Sequence, residues 1–152
     1  MASISSRFSV AIHILSLVAS FPEERMTSEL MAKSIGTNPV VVRRITRALA
    51  DAGLLRVHAG VGGAELTRPL NEITLLDVYR AVGAVEADRL FAIHDTPQPR
   101  CPVGANIQAS LESVFRDAQH AMEAALEART MKEVVSDLNR RATRARHGAM
   151  RT

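Results

Sequence analysis

Residues 34–68 read SIGTNPVVVRRITRALADAGLLRVHAGVGGAELTR, and the sense of the whole chain turns on them. Gly36 interrupts one helical pattern. Asn38 is a favourable helix N-cap, and Pro39 suits the first helical position, where a missing N–H costs nothing. Helical spacing then persists to about Ala52 and stops at Gly53. There the period changes: Leu55 and Val57 alternate with Arg56 and His58, and Glu65 to Thr67 can return as a partner strand. Ala59 to Gly63, with three glycines, supplies the tip. Two helices around a tight glycine turn, followed by a hairpin, make the order of a winged helix-turn-helix. GVGG could instead cradle a phosphate, but no Lys-Ser/Thr follows it and no helix begins directly behind it.

Outward from this core, Ser6 to Ser20 carries Phe8, Ala11, Ile12, Leu15, Val18 and Ala19 at helical spacing. Thr27 or Ser28 can cap a short helix to about Ser34, with Glu29 in its first turn. Thr74-Leu75-Leu76-Asp77 has the form of a capping box and opens a helix that ends near Gly83. Residues 84–103 read as irregular, and a single helical pattern then runs from Gly104 to Ala128. Its residues Ile107, Leu111, Val114, Ala118, Ala121, Ala125 and Ala128 alternate spacings of four and three, a heptad-like seam with small later positions. Phe115, Met122 and Leu126 form a neighbouring stripe. These positions predict a dimer interface. A last helix, from about Met131 to Arg140, leads into an arginine-rich tail.

Composition narrows the function. The chain has 152 residues, 47% of them hydrophobic, enough for a folded core. Its apolar runs are short and broken by charge, so none is expected to span a membrane. Arg7 and the apolar residues behind it imitate a secretion signal, but His13 and Ser16 interrupt the run and Pro-Glu-Glu-Arg follows it. The single cysteine fits a reducing cytoplasm. Net charge is only +3, yet five arginines fall between Pro39 and Arg68 against Asp51 and Glu65, and five more follow Asp137 with no acid. That distribution points to a polyanion. Four Phe, one Tyr and no Trp give little to stack on unpaired bases, which favours duplex over single-stranded nucleic acid. No catalytic constellation assembles, so an enzyme is not expected.

The helix after Asn38 carries the sharpest expectation. At about 100° per residue, Val41, Ile45, Ala48, Leu49 and Ala52 gather within an arc of about 100°, which predicts the core face. Arg43 and Arg47 then point away, with Arg44 on the flank and Val40 nearby. Arginine can grip guanine or phosphate, and an exposed valine can meet a thymine methyl.

The chain resembles the BadM/Rrf-type family of bacterial winged-helix transcription regulators, which includes the iron–sulfur regulator IscR. The resemblance covers the whole chain. It rests on SSRFSVAIHIL, on the helix-turn-helix, on ADAGLLRVHAGVGGAELTR followed by ITLLDVYRAVG, and on CPVGANI at the start of the long helix. It implies a mainly α fold, a winged helix-turn-helix with a small hairpin wing, and a long dimerisation helix. It also implies a homodimer, most often a repressor, on a partly palindromic duplex. Carried over by position, Ser6, Arg7, Thr27, Ser28, Arg43, Arg44 and Arg47 would face DNA, and so would His58, Gly60, Gly62 and Gly63 of the wing. Asn38, Pro39 and Val40, at the start of the same helix as the arginines, complete the expected DNA-facing set. Ile107, Leu111, Val114, Phe115, Ala118, Met122 and Ala125 would form the dimer seam. The corresponding organisation is a DNA-binding domain over 1–83, a sensor loop over 84–103, a dimerisation helix over 104–128, and a C-terminal helix and tail over 129–152.

Two departures stand out. Many relatives place an aromatic directly after the paired wing glycines, where this chain has Ala64. Cluster-binding relatives place three cysteines before the long helix, where this chain has only Cys101. With His94 and Asp95 that leaves one thiolate, one imidazole and one carboxylate, a poor iron–sulfur or zinc site. No cofactor or metal is therefore expected. Pro102 makes Cys101 the expected cap of the long helix, where the helix N-terminus and Arg100 would favour a thiolate. This predicts a redox or electrophile switch at Cys101. The alternatives are a regulator responding to a small ligand, with Cys101 structural, or a winged-helix module that binds protein.

Overall fold

The computed structural model describes residues 6–58, 60, 62–83 and 97–149. The expectations that involve Ala59, residues 84–96 with His94 and Asp95, and the last residues of the tail lie outside it. Six helices and one hairpin are described: α1 Ser6–Ser20, α2 Ser28–Ile35, α3 Pro39–Asp51, β1 Leu55–Val57, β2 Ala64–Leu66, α4 Leu75–Ala81, α5 Pro102–Glu127 and α6 Met131–Ala149.

Local chemistry sets the boundaries. Thr27 caps α2 by accepting from the Leu30 N–H, and Gly36 closes that helix in the left-handed region at φ 74°. Asn38 caps α3 through the Val40 N–H at 2.8 Å, with Pro39 in the first turn. Thr74 and Asp77 form a reciprocal capping box at the start of α4, each side chain accepting from the other's backbone N–H at 3.0 and 2.9 Å. The hairpin pairs Leu55 with Leu66, Arg56 with Glu65 and Val57 with Ala64. Its return strand therefore begins at Ala64, one residue earlier than the sequence suggests.

The core joins Ala11, Ile14, Leu15 and Val18 of α1 to Val42, Ile45 and Leu49 of α3, and to Leu54, Leu55, Ile73, Leu76 and Val78. Phe8 meets Tyr79 edge to face, with ring centroids 5.5 Å apart. Two features differ from expectation. The buried face of α3 is Val42, Ile45, Thr46 and Leu49, while Val41 and Ala52 are exposed. The face is thus turned by roughly 60° from the predicted arc, about two-thirds of one residue step. Secondly, α6 runs to Ala149 rather than ending at Arg140. Asp137 accepts from Arg140 and Arg141 one turn ahead, at 3.1 and 2.6 Å, which supports a helix through a segment with little apolar content.

α6 also contributes to the head of the molecule. Met131 and Val135 belong to the core cluster. A short bridge ties Thr74 to Thr130, with Leu75 N–H donating to Arg129 O and Met131 N–H to Ile73 O, both at 2.9 Å. α5 rests on α4 and is further linked to it by Arg80–Glu123 at 3.1 Å. None of the 26 residues of α5 is buried.

Candidate nucleic-acid interface

With its apolar face consumed by the core, α3 turns its other face to solvent. Arg43, Arg44 and Arg47 are all exposed, and Val40 is 56% exposed. Arg44 and Arg47 make no ion pair among the described residues. Arg43 does: its Nη2 donates to Glu29 Oε1 at 2.9 Å. Sequence reading places Glu29 only as a favourable first-turn acid of α2. That it reaches across to α3 is a tertiary fact with no local signal.

The surroundings of α3 suit an anion. The α2 N-terminus, with Thr27 and Ser28, lies beside it, and its own N-terminus is framed by Asn38 and Pro39. Glu29 is held below the usual carboxylate range, first by the hydrogen bond from Arg43, then by a backbone N–H at the start of α2. Between α3 and β1 lies an open cleft of about 270 Å3, bounded by Ser28, Arg43, Thr46, Arg47, Ala50 and Val57. The Thr46 hydroxyl is buried there without a hydrogen-bond partner among the described residues.

The wing stands on the far side of this cleft. His58 N–H donates to Gly63 O, and Gly62 N–H returns to His58 O, both at 3.1 Å, closing the tip. Gly62 and Gly63 hold φ of 73° and 96°, where other residues are strained. Gly63 also abuts Arg25: a Cβ there would meet the Arg25 side chain at 3.0 Å, so the α1–α2 connection supports the wing. Arg25 is a neighbour that sequence reading missed. Along the strands, Arg56 bonds Glu65 at 2.9 Å, and His58 Nε2 lies 3.5 Å from the same carboxylate. Ala64, directly after the paired wing glycines, pairs with Val57 and rests half-buried on the core. Ser6 and Arg7 are exposed at the start of α1.

Along α5, Val103 and Val114 are 69% and 58% exposed, while Ile107, Leu111, Phe115 and Ala118 are half-buried and Ala125 is exposed. Met122 and Leu126, half-buried, also pack against the core of their own chain.

Cys101 occupies the N-cap position of α5, exposed, and makes no capping hydrogen bond through its side chain. Its thiol pKa is lowered by the backbone N–H groups of Gly104 and Val103, in that order. Arg100, expected to help, is not among the causes. Gly104 permits the close fold of this corner, because a Cβ there would fall 2.4 Å from Gln98 O. Among the described residues no three His, Cys, Asp or Glu side chains converge to hold a metal. One thiolate in the entire chain does not fit an iron–sulfur cluster held by cysteines.

A helix with exposed arginines, flanked by helix N-termini and a glycine-tipped wing, defines a winged helix-turn-helix protein suited to DNA. The chain belongs to the Rrf2 family, described as an iron-dependent transcriptional regulator, which it matches over residues 4–137. It is 47% identical over 135 residues to YwnA of Bacillus subtilis, classed as an HTH-type transcriptional regulator, covering 89% of this chain and 98% of that one. A crystal structure described as that of a DNA-binding protein superposes with a TM-score of 0.69 at 43% identity, covering 85% of this chain and 98% of the other. A transcriptional regulator from Lactobacillus plantarum superposes with a TM-score of 0.75 at 26% identity, covering 97% and 99%. This protein is a DNA-binding transcriptional regulator, and no described helix is long and apolar enough to cross a membrane.

Proposed function

We propose that the chain acts as a homodimeric repressor in the cytoplasm, reading a partly palindromic operator and switched by oxidation or electrophile modification of Cys101. α3 enters the major groove with Arg43, Arg44, Arg47 and Val40, and the wing follows the adjacent backbone through His58 and its glycines. Ser6, Arg7, Thr27, Ser28, Asn38 and Pro39 anchor phosphates. The exposure of three arginines opposite a fully buried apolar face of the same helix supports this reading most directly. The dimer forms along α5 through Ile107, Leu111, Val114, Phe115, Ala118, Met122 and Ala125, none of which is fully buried within the chain. We assign the protein no catalytic activity and no cofactor.

Cys101 supplies the signal. Its exposed thiolate attacks the O–O bond of a peroxide, forming an S–O bond and releasing hydroxide. The new polar group sits where the chain enters the dimer helix.

Fluorescence anisotropy on an operator duplex over a salt series tests the proposal, using reduced protein, oxidised protein and Cys101→Ser. Steep salt dependence, with oxidation weakening only the wild type, is expected. Salt-dependent binding indifferent to oxidation would make Cys101 structural and direct attention to a small ligand. Absence of any salt-dependent duplex affinity would favour a protein-binding module.

A further inference from the structure

The α2–α3 face holds an acid that a DNA-binding surface has no obvious use for. Glu29 lies in the first turn of α2, two positions after the Thr27 N-cap, and bonds Arg43 at 2.9 Å. The two side chains are 66% and 58% exposed, so the pair is no buried tie between helices. In water such a pair adds little to folding. Its meaning lies in its place. The N-terminus of α2 attracts an anion, and Arg43 is one of the arginines that would bind one. Glu29 stands at both and presents its own carboxylate where a phosphate would otherwise settle.

We infer that Glu29 is a specificity-determining residue of the DNA interface, which withholds one edge of Arg43 from the phosphate backbone and leaves the rest of its fork for a base. A guanidinium carries five N–H donors in a plane, so a bond from Nη2 to Glu29 leaves Nη1 and further donors for guanine O6 and N7. Contacts to phosphate carry no sequence information, whereas contacts to base edges do. An acid that suppresses the first without blocking the second widens the gap between operator and random DNA. It also repels any backbone that approaches in the wrong register. Arg44 and Arg47, unpaired with acids among the described residues, keep the general attraction to duplex. The low pKa of Glu29 keeps the carboxylate charged throughout the physiological range.

This inference rests on the reading that α3 meets DNA through Arg43, and the test separates the two. The full-length reduced protein is titrated over a salt series against two duplexes: an operator that the protein itself selects from genomic fragments, and its scrambled counterpart. Wild type, Glu29→Gln, Arg43→Ala and the double variant are compared. Glutamine keeps the size and the acceptor but removes the charge, and circular dichroism checks that each variant is folded. Glu29→Gln should tighten scrambled DNA roughly ten-fold, tighten the operator much less, and steepen the scrambled-DNA salt slope by about one unit. In the Arg43→Ala background it should leave that slope unchanged. Equal tightening on both duplexes with no change of slope would overturn the inference and make Glu29 a diffuse repulsive charge. Weaker operator binding with no gain on scrambled DNA would also overturn it, making Glu29 a mere support for Arg43. If Arg43→Ala alone altered neither duplex, the contact reading itself would fail, and the inference with it.

Discussion

α3 and α5 are both amphipathic helices, but the chain treats their apolar faces differently. α3 has 13 residues and buries four of them, Val42, Ile45, Thr46 and Leu49, against α1, the wing strand and α4. α5 is twice as long and buries none, although Met122 and Leu126 touch the core from its C-terminal half. A helix whose apolar stripe is satisfied internally is fixed in orientation, and its opposite face becomes a reliable display. A helix whose stripe is left open needs another surface to complete it. In the proposed function the first case would serve as the interface for DNA and the second as the interface for a second copy.

Substitutions can break or sharpen this contrast. Leu49→Ala removes a fully buried side chain from α3 and should cost about 3 kcal/mol of stability, read from a urea melt. Val114→Asp places a charge on the open stripe of α5. It should leave folding intact, convert the proposed dimer to monomer in sedimentation, and weaken operator binding roughly hundred-fold through lost avidity. If Val114→Asp destabilised the fold as much as Leu49→Ala, the contrast between the helices would be wrong. Arg47→Ala should lower operator affinity roughly ten-fold and reduce the salt slope by about one unit, without moving the melt.

Smaller effects probe the joints between the two regions. Thr74→Ala removes half of the α4 capping box and should cost about 1 kcal/mol in the same melt. For Cys101 the prediction concerns pH. Its thiol pKa is lowered in the folded chain, so the thiolate persists to lower pH than in the unfolded chain. Alkylation by iodoacetamide should therefore rise and level off at a lower pH in native protein than in urea. Coincident profiles would show that the backbone N–H groups of Val103 and Gly104 do not act on the sulfur.

Local signals were legible wherever a boundary depended on side chain against backbone. Thr27, Asn38 and the Thr74–Asp77 box announced their helices, and the alternation from Leu55 to Val57 announced the wing. Phase was harder. Three consecutive valines, Val40 to Val42, are apolar on every side, so the pattern alone did not decide which one faces the core, and tertiary packing chose Val42. The end of α6 was hidden because the ion pairs of Asp137, rather than an apolar stripe, accompany its helical continuation. At the candidate site the arginines of α3 were legible as a basic, solvent-facing set. Glu29 and Arg25 were not, since their significance comes from residues 14 and 38 positions away that only the folded chain brings near.

The bridge between Thr74 and Thr130 has a mechanical consequence. Together with Arg80–Glu123 and the packing of Met122 and Leu126, it pins the C-terminal part of α5 to the head of the molecule, and the stretch from Pro102 to Ala121 measures about 30 Å at 1.5 Å per residue. A tilt of about five degrees around that pivot swings the Cys101 end by about 3 Å on a rod of this length. In the proposed dimer, the separation of the two reading heads would thus be governed by an angle at a hinge, far from any nucleotide and far from the thiol. In that proposal the helix would be the lever through which a small chemical change becomes a change of reach.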